Sequence, residues 1–237
     1  MPHKDKPSTK ILKSARPYAG DVQAVLASLE RVSSAKLREE MSTRYGIHTN
    51  KAFGVMMRDM QKIAKSIGAN HELALALWDT GWYEARMVAS MIDDPAKVTS
   101  AQMDRWCKTF DNWAICDTVC FKLFDRTPHA WTKVTQWSSK RDEFVKRTAF
   151  ALLWALSMHD RRSGDAPFLR SLVLIERAAD DERNFVKKAV NMALRAIGKR
   201  NPALKEAAVV VARRLSGSQD ATARWIGKDA IRELTSR

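Results

Sequence analysis

From Asp21 onward the apolar positions recur at three- and four-residue intervals, the period of one face of a helix, and no stretch keeps the strict alternation of a half-buried strand. Alanine, leucine, arginine and lysine dominate these segments, β-branched runs are short, and glycine and proline collect at boundaries. Asp21 is placed to cap a helix over residues 22–30, and Ser33 or Ser34 a second over 35–44. Gly46, Gly68, Gly81 and the Asp93-Asp94-Pro95 step mark the ends of the next helices. Thr127-Pro128, Ser163-Gly164, Asn201-Pro202 and Ser216-Gly217 do the same further on. The pattern predicts an all-α protein.

The helices also repeat. The segment Val145 to Leu153 (VKRTAFALL) resembles Val186 to Leu194 (VKKAVNMAL), and weaker echoes lie at Glu84 to Ala89 and at Ala223 to Arg232. Two-helix units recurring every few tens of residues predict an α-solenoid, in which each unit buries its apolar face only against its neighbours. Small residues fall where such helices would pack, and basic residues fall to one side. Residues 21–237 therefore read as a single repeat domain, preceded by a basic arm over residues 1–20.

Charge changes the picture more than composition does. The formal net charge is +14, and it is unevenly spread. Residues 1–20 carry five basic groups against one acidic, residues 21–137 fifteen against fourteen, and residues 138–237 twenty-one against twelve. That asymmetry is the footprint of a protein that meets a polyanion. No apolar run approaches the length of a membrane span, and the polar, basic N-terminus lacks the core of a secretory signal. A cytoplasmic, monomeric protein without a membrane partner is the expectation. The three cysteines (Cys107, Cys116, Cys120) lack paired C-x-x-C spacing and read as buried reduced thiols. The five scattered histidines offer no ligand pairing, so neither a metal nor another cofactor is expected.

The candidate chemistry lies at Trp113 and Asp117, four apart and so on one helical face, with Arg147 thirty residues on. An aromatic plate, a carboxylate and a cation together can hold a charged base against a sugar–phosphate backbone. Taken singly they have plainer readings. A tryptophan at helical spacing is usually core, as we assign Trp78, Trp106, Trp131, Trp137 and Trp154; a lone aspartate is usually a surface acid paired with a neighbour such as Lys122.

The order and spacing of several pieces resemble the HEAT-like-repeat alkylpurine DNA glycosylases. These pieces are Tyr45-Gly46-Ile47, Leu77-Trp78-Asp79 with Glu84-Ala85-Arg86, Trp113-x3-Asp117, Lys146-Arg147, and Phe185 to Ala189 with Ala193-Leu194-Arg195. The resemblance runs from about Tyr45 to the C-terminus. It implies a right-handed superhelix with a concave basic cleft that cradles duplex DNA. It also implies hydrolysis of the N-glycosidic bond of cationic purines of the 3-methyladenine and 7-methylguanine type, with the lesion left unflipped. On that resemblance Asp117 is the catalytic carboxylate, stabilising positive charge on the sugar and orienting water. Trp113 stacks on the cationic nucleoside and Arg147 forks onto a backbone phosphate. Met192 stands where the family carries a second tryptophan; it is apolar and polarisable but supplies no rigid wall. Trp154, seven residues beyond Arg147 and on the same helical face, is a candidate to enter the cleft. Lys146, Lys187, Lys188, Arg195, Arg224 and Lys228 are expected phosphate contacts. Two other readings stay open: a non-catalytic binder of unusual DNA structures, favoured by Met192, and a solenoid scaffold for RNA or an acidic protein.

Overall fold

The computed structural model describes residues 21–236, and among them there are thirteen α-helices, one 3₁₀ turn and no strand. The basic arm over residues 1–20 lies outside the described residues. In chain order the helices are α1 Val22–Arg31, α2 Ala35–Thr43, α3 Met57–Ile67, α4 His71–Asp79, α5 Tyr83–Ile92, α6 Ser100–Cys107 and α7 Trp113–Lys122. After the 3₁₀ turn Phe124–Arg126 come α8 Ala130–Trp137, α9 Glu143–His159, α10 Ala166–Arg177, α11 Asn184–Gly198, α12 Pro202–Ser216 and α13 Ala221–Thr235.

Local chemistry sets these boundaries. The Asp21 carboxylate accepts from the amides of Gln23 and Ala24, starting α1, and Ser34 rather than Ser33 caps α2. Asn112 caps α7 by accepting from Ala114 and Ile115, and Asp142 caps α9 by accepting from Val145. Asn201 caps α12, with Pro202 at its first position, where a missing amide costs nothing.

The helices form two rows. Every second helix from α3 to α13 packs on the next of its kind: α3 on α5, α5 on α7, α7 on α9, α9 on α11, α11 on α13. The intervening α4, α8 and α12 close the other side against α5, α9 and α13. The repeated segments seen in the sequence fall on α5, α9, α11 and α13, so the repetition marks members of one row. α9 is the central member, with Phe150, Leu152 and Leu153 wholly buried, each stabilising the fold by about 1.5–3 kcal/mol. Close approach in the last unit depends on Gly227, where a Cβ would fall 2.3 Å from the Ser216 amide nitrogen and 2.5 Å from the Ala212 carbonyl oxygen.

Three of the five tryptophans assigned to the core are buried: Trp78, Trp106 and Trp137. Trp78 and Trp106 stack at 3.8 Å. Trp131 and Trp154 are half-buried. Cys107, Cys116 and Cys120 are buried free thiols, and burial pushes the Cys107 and Cys120 thiols well above their ordinary value.

Candidate nucleic-acid site

Trp113 opens α7 and Asp117 follows one turn later, and both line a cavity of about 340 Å³ bounded by α2, the 54–56 loop, α3, α5 and α7. The Trp113 indole N–H donates to the Tyr45 carbonyl at 2.9 Å, which fixes the ring as one wall. That carbonyl is available because α2 has just ended. Gly46 follows at φ 61°, and the Ile47 amide turns back to the Met41 carbonyl at 2.7 Å.

Asp117 is held from behind. Arg147 on α9 donates through Nε to Oδ1 at 3.1 Å and through Nη2 to Oδ2 at 2.6 Å, while Nη1 donates to the Phe185 carbonyl at 2.7 Å. The Arg147 side chain is 5% exposed and Asp117 17%, and only Asp117 lines the cavity. The pair is therefore a dipole with its negative end toward the opening. Burial pushes the Asp117 carboxyl above its ordinary value, with the Arg147 cation offsetting part of the rise. Burial acts to lower the Arg147 pKa, and the facing carboxylate more than offsets it, so this guanidinium holds its proton more firmly than usual. The fork expected on a phosphate thus lies on Asp117, a partner thirty residues away that helix spacing alone does not reveal.

The opposite wall was invisible in the sequence. Met41, Met56, Met57, Met60 and Met87 all line the cavity with Tyr45 and Tyr83. Half of the chain's ten methionines thus line one cleft, and that clustering within residues 41–87 was the one signal available. The loop that carries Val55 and Met56 is fastened by Glu84, a wholly buried carboxylate that accepts from the amides of Phe53 (3.0 Å), Gly54 (2.7 Å) and Val55 (3.2 Å). Gly54 is needed there: its φ is 77°, and a Cβ would sit 2.3 Å from the Ser34 carbonyl oxygen.

The remaining predicted residues divide. Met192 is half-buried on α11 and does not line the cavity. Nor does Trp154, which sets its edge on Phe121 at 4.5 Å within the α7–α9 interface. The expectation that Trp154 enters the Asp117 cleft is corrected accordingly; the face it shares with Arg147 is the packed one. Lys146 bonds Asp181 at 2.9 Å, and Asp181 is gripped as well by Arg183 at 2.6 Å. The Arg183 hydrogen bonds, with help from Lys146, hold the Asp181 carboxyl down to about 2. Arg195 is paired with Asp229 at 3.3 Å and Glu233 at 2.8 Å. Arg224 donates to the Ser218 and Gln219 carbonyls at 2.9 and 2.6 Å. The Lys187 ammonium lies over the Trp225 ring, 5.2 Å from its centroid. Lys188 and Lys228 are exposed and make no ion pair among the described residues.

Rows of helices in which each member packs on its neighbours define an all-α helical-repeat protein. A family model described as DNA alkylation repair enzyme matches residues 25–234. The chain belongs to that family. Among solved structures it is similar to one described as a new family of proteins related to the HEAT-like repeat DNA glycosylases with affinity for branched DNA structures. That match has a TM-score of 0.74 at 24% identity and covers 90% of this chain and 94% of the other. A designed armadillo repeat protein aligns with a TM-score of 0.40 at 14% identity, over 93% of this chain and 97% of its own. No curated protein matches the chain.

Proposed function

We propose that the protein binds duplex DNA across the α7–α13 row and hydrolyses the N-glycosidic bond of cationic alkylated purines, leaving an abasic site. One observation carries the reading: the Asp117–Arg147 dipole points its carboxylate into an otherwise uncharged cavity, one helical turn from the Trp113 ring. N-glycosidic cleavage of an alkylated purine begins with a leaving group already positive and builds further positive charge on the sugar. A fixed, largely buried carboxylate stabilises that charge, by about 3 kcal/mol for a well-placed group. Its immobility matters, because a carboxylate held at both oxygens needs no reorganisation as the bond breaks. Trp113, its ring anchored through Tyr45, offers a flat electron-rich face to the cationic nucleoside, a contact of roughly 1–2 kcal/mol. Membership of the alkylation repair family supports the substrate class. Exposed Lys188 and Lys228 supply phosphate contacts, whereas Arg147 acts by holding Asp117.

Base release from duplex DNA carrying 7-methylguanine, beside an unmodified duplex, tests the reading. Abasic sites only in the methylated duplex are the expected result. Their absence, with tight and salt-sensitive binding to both, favours a second reading: a DNA-structure binder without base excision. That alternative has its own support in Met192, which offers no aromatic wall, and in a similar structure described as having affinity for branched DNA.

A further inference from the structure

Trp225 is surplus to the core. The face that α13 buries is made of Ala223, Ile226, Gly227, Ala230 and Leu234, and Trp225 lies outside it, 42% exposed. No fold requirement calls for an indole at that position, since a polar side chain would serve the solvent face as well. Two cations lie near it, and the one acid within a helical turn of it on α13, Asp229, is already bonded to Asn191, Arg195 and Arg232. The Lys187 ammonium stands 5.2 Å from the ring centroid, and Lys228, three residues on along α13, is an exposed neighbour on the helix surface. An exposed indole flanked by two cations, with no carboxylate bonded to either among the described residues, is matched to a ligand that is flat on one side and anionic on the other.

Position in the fold narrows the ligand further. Asp117 is the fifth residue of α7, Arg147 the fifth of α9, Lys187 the fourth of α11 and Trp225 the fifth of α13. Contacts run along the row at this level, from Asp117 to Arg147, from Arg147 to the Phe185 carbonyl, and from Lys187 to Trp225. Three helix spacings of about 8–10 Å separate α7 from α13, so Trp225 stands roughly 25–30 Å from Asp117. That span is about eight nucleotide steps along a DNA strand at ~3.4 Å each.

We infer that Trp225, with Lys187 and Lys228, is a stacking platform for an unpaired nucleobase in a single-stranded stretch of bound DNA. The indole takes the base on its open face, and the two ammonium groups take the adjoining phosphates. Duplex DNA keeps its bases stacked on one another and presents none to the ring, so the platform selects for flaps, gaps and junctions. It does so whether or not Asp117 excises a base, and it rests only on the DNA binding proposed above.

The test compares a plain duplex with the same duplex carrying a short single-stranded flap, using the full chain and titrating each by fluorescence anisotropy. Stacking on one aromatic ring gains about 1–3 kcal/mol per base, a factor of roughly 5 to 150. Trp225→Ala is expected to weaken flap binding by about tenfold while leaving plain-duplex binding within about twofold. Trp225→Phe should recover most of the loss, and Lys187→Gln should fall between. The position is solvent-facing, so a matched unfolding midpoint secures the comparison. Equal losses on the two DNAs would make Trp225 a general contact and overturn the inference. So would a wild-type protein that does not distinguish the flap from the duplex.

Discussion

The two ends of the row treat charge in opposite ways. Around α2, α3, α5 and α7 the chain is nearly neutral in composition, yet one carboxylate is set at an apolar opening and held there by a single arginine. Around α11 and α13 the chain is rich in cations, yet much of that charge is spent internally: across the α11–α13 seam Arg195 pairs with Asp229 and Glu233 and Lys199 with Glu233, and within α13 Arg232 pairs with Asp229. A count of basic residues is therefore a poor guide to basic surface in a helical repeat. Helices stacked in register bring i, i+4 positions of one against those of the next, and a cation there meets an acid before it meets solvent. Electrostatic function is concentrated where pairing is incomplete or one-sided.

Breaking the one-sided pair should have the largest effect. Arg147→Met removes the cation and leaves a buried carboxylate unpaired, a change that costs about 3–5 kcal/mol. Chemical denaturation should show that loss, and adding Asp117→Asn should recover part of it. Next comes the loop that forms the methionine wall. Glu84→Gln turns an acceptor of three amides into a group that mispairs with at least one of them. The expected cost is about 1–3 kcal/mol, read from the unfolding midpoint, with faster amide exchange at Phe53, Gly54 and Val55.

The paired end is sharpened by pH. In the folded protein the Asp181 carboxyl sits at about 2, below its ordinary value near 4, because Arg183 and Lys146 favour its charged form. A depressed folded value means stability that is complete above the ordinary value and lost as pH falls through about 2. After allowance for solvent screening the amount is of order 1–2 kcal/mol. Asp181→Asn should remove that pH dependence between pH 4 and 2 from thermal unfolding curves. The smallest effects concern single cations. Lys188→Ala and Lys228→Ala should each lower the slope of log binding constant against log salt by about 1 on duplex DNA. Arg195→Ala should change that slope less, because Arg195 is already neutralised by its acids.

Much of this architecture was legible in the sequence, and the reason is local. Caps, glycine stops and the 3.6-residue period act within a few residues, so Asp21, Ser34, Asn201 and Gly46 announced the helices they bound. The likeness of residues 145–153 to 186–194 marked two members of one row because stacked units share packing needs. The i, i+4 spacing of Trp113 and Asp117 likewise placed both on one wall. The cavity was not legible, because its walls come from four helices and a loop that meet only after folding. Glu84 carried no mark of its role, since its three amide donors lie about thirty residues earlier. Arg147 and Arg195 were read as DNA-facing cations because their acidic partners lie thirty or more residues away in sequence. Pairing across a row is set by the register between helices, which the period of one helix does not encode.

Everything proposed for the apolar opening turns on one group, the Asp117 carboxylate that Arg147 fixes there. Single-turnover release of 7-methylguanine, measured for the wild type and Asp117→Asn across acid to neutral pH, with duplex affinity followed alongside, tests that role most directly. The wild-type rate is expected to fall on the acid side with a midpoint above the ordinary aspartate value, as the raised Asp117 carboxyl takes up its proton. The variant should be about 10²–10³-fold slower with DNA affinity unchanged. Wild-type release that persists undiminished in Asp117→Asn, or affinity lost in step with release, would contradict it.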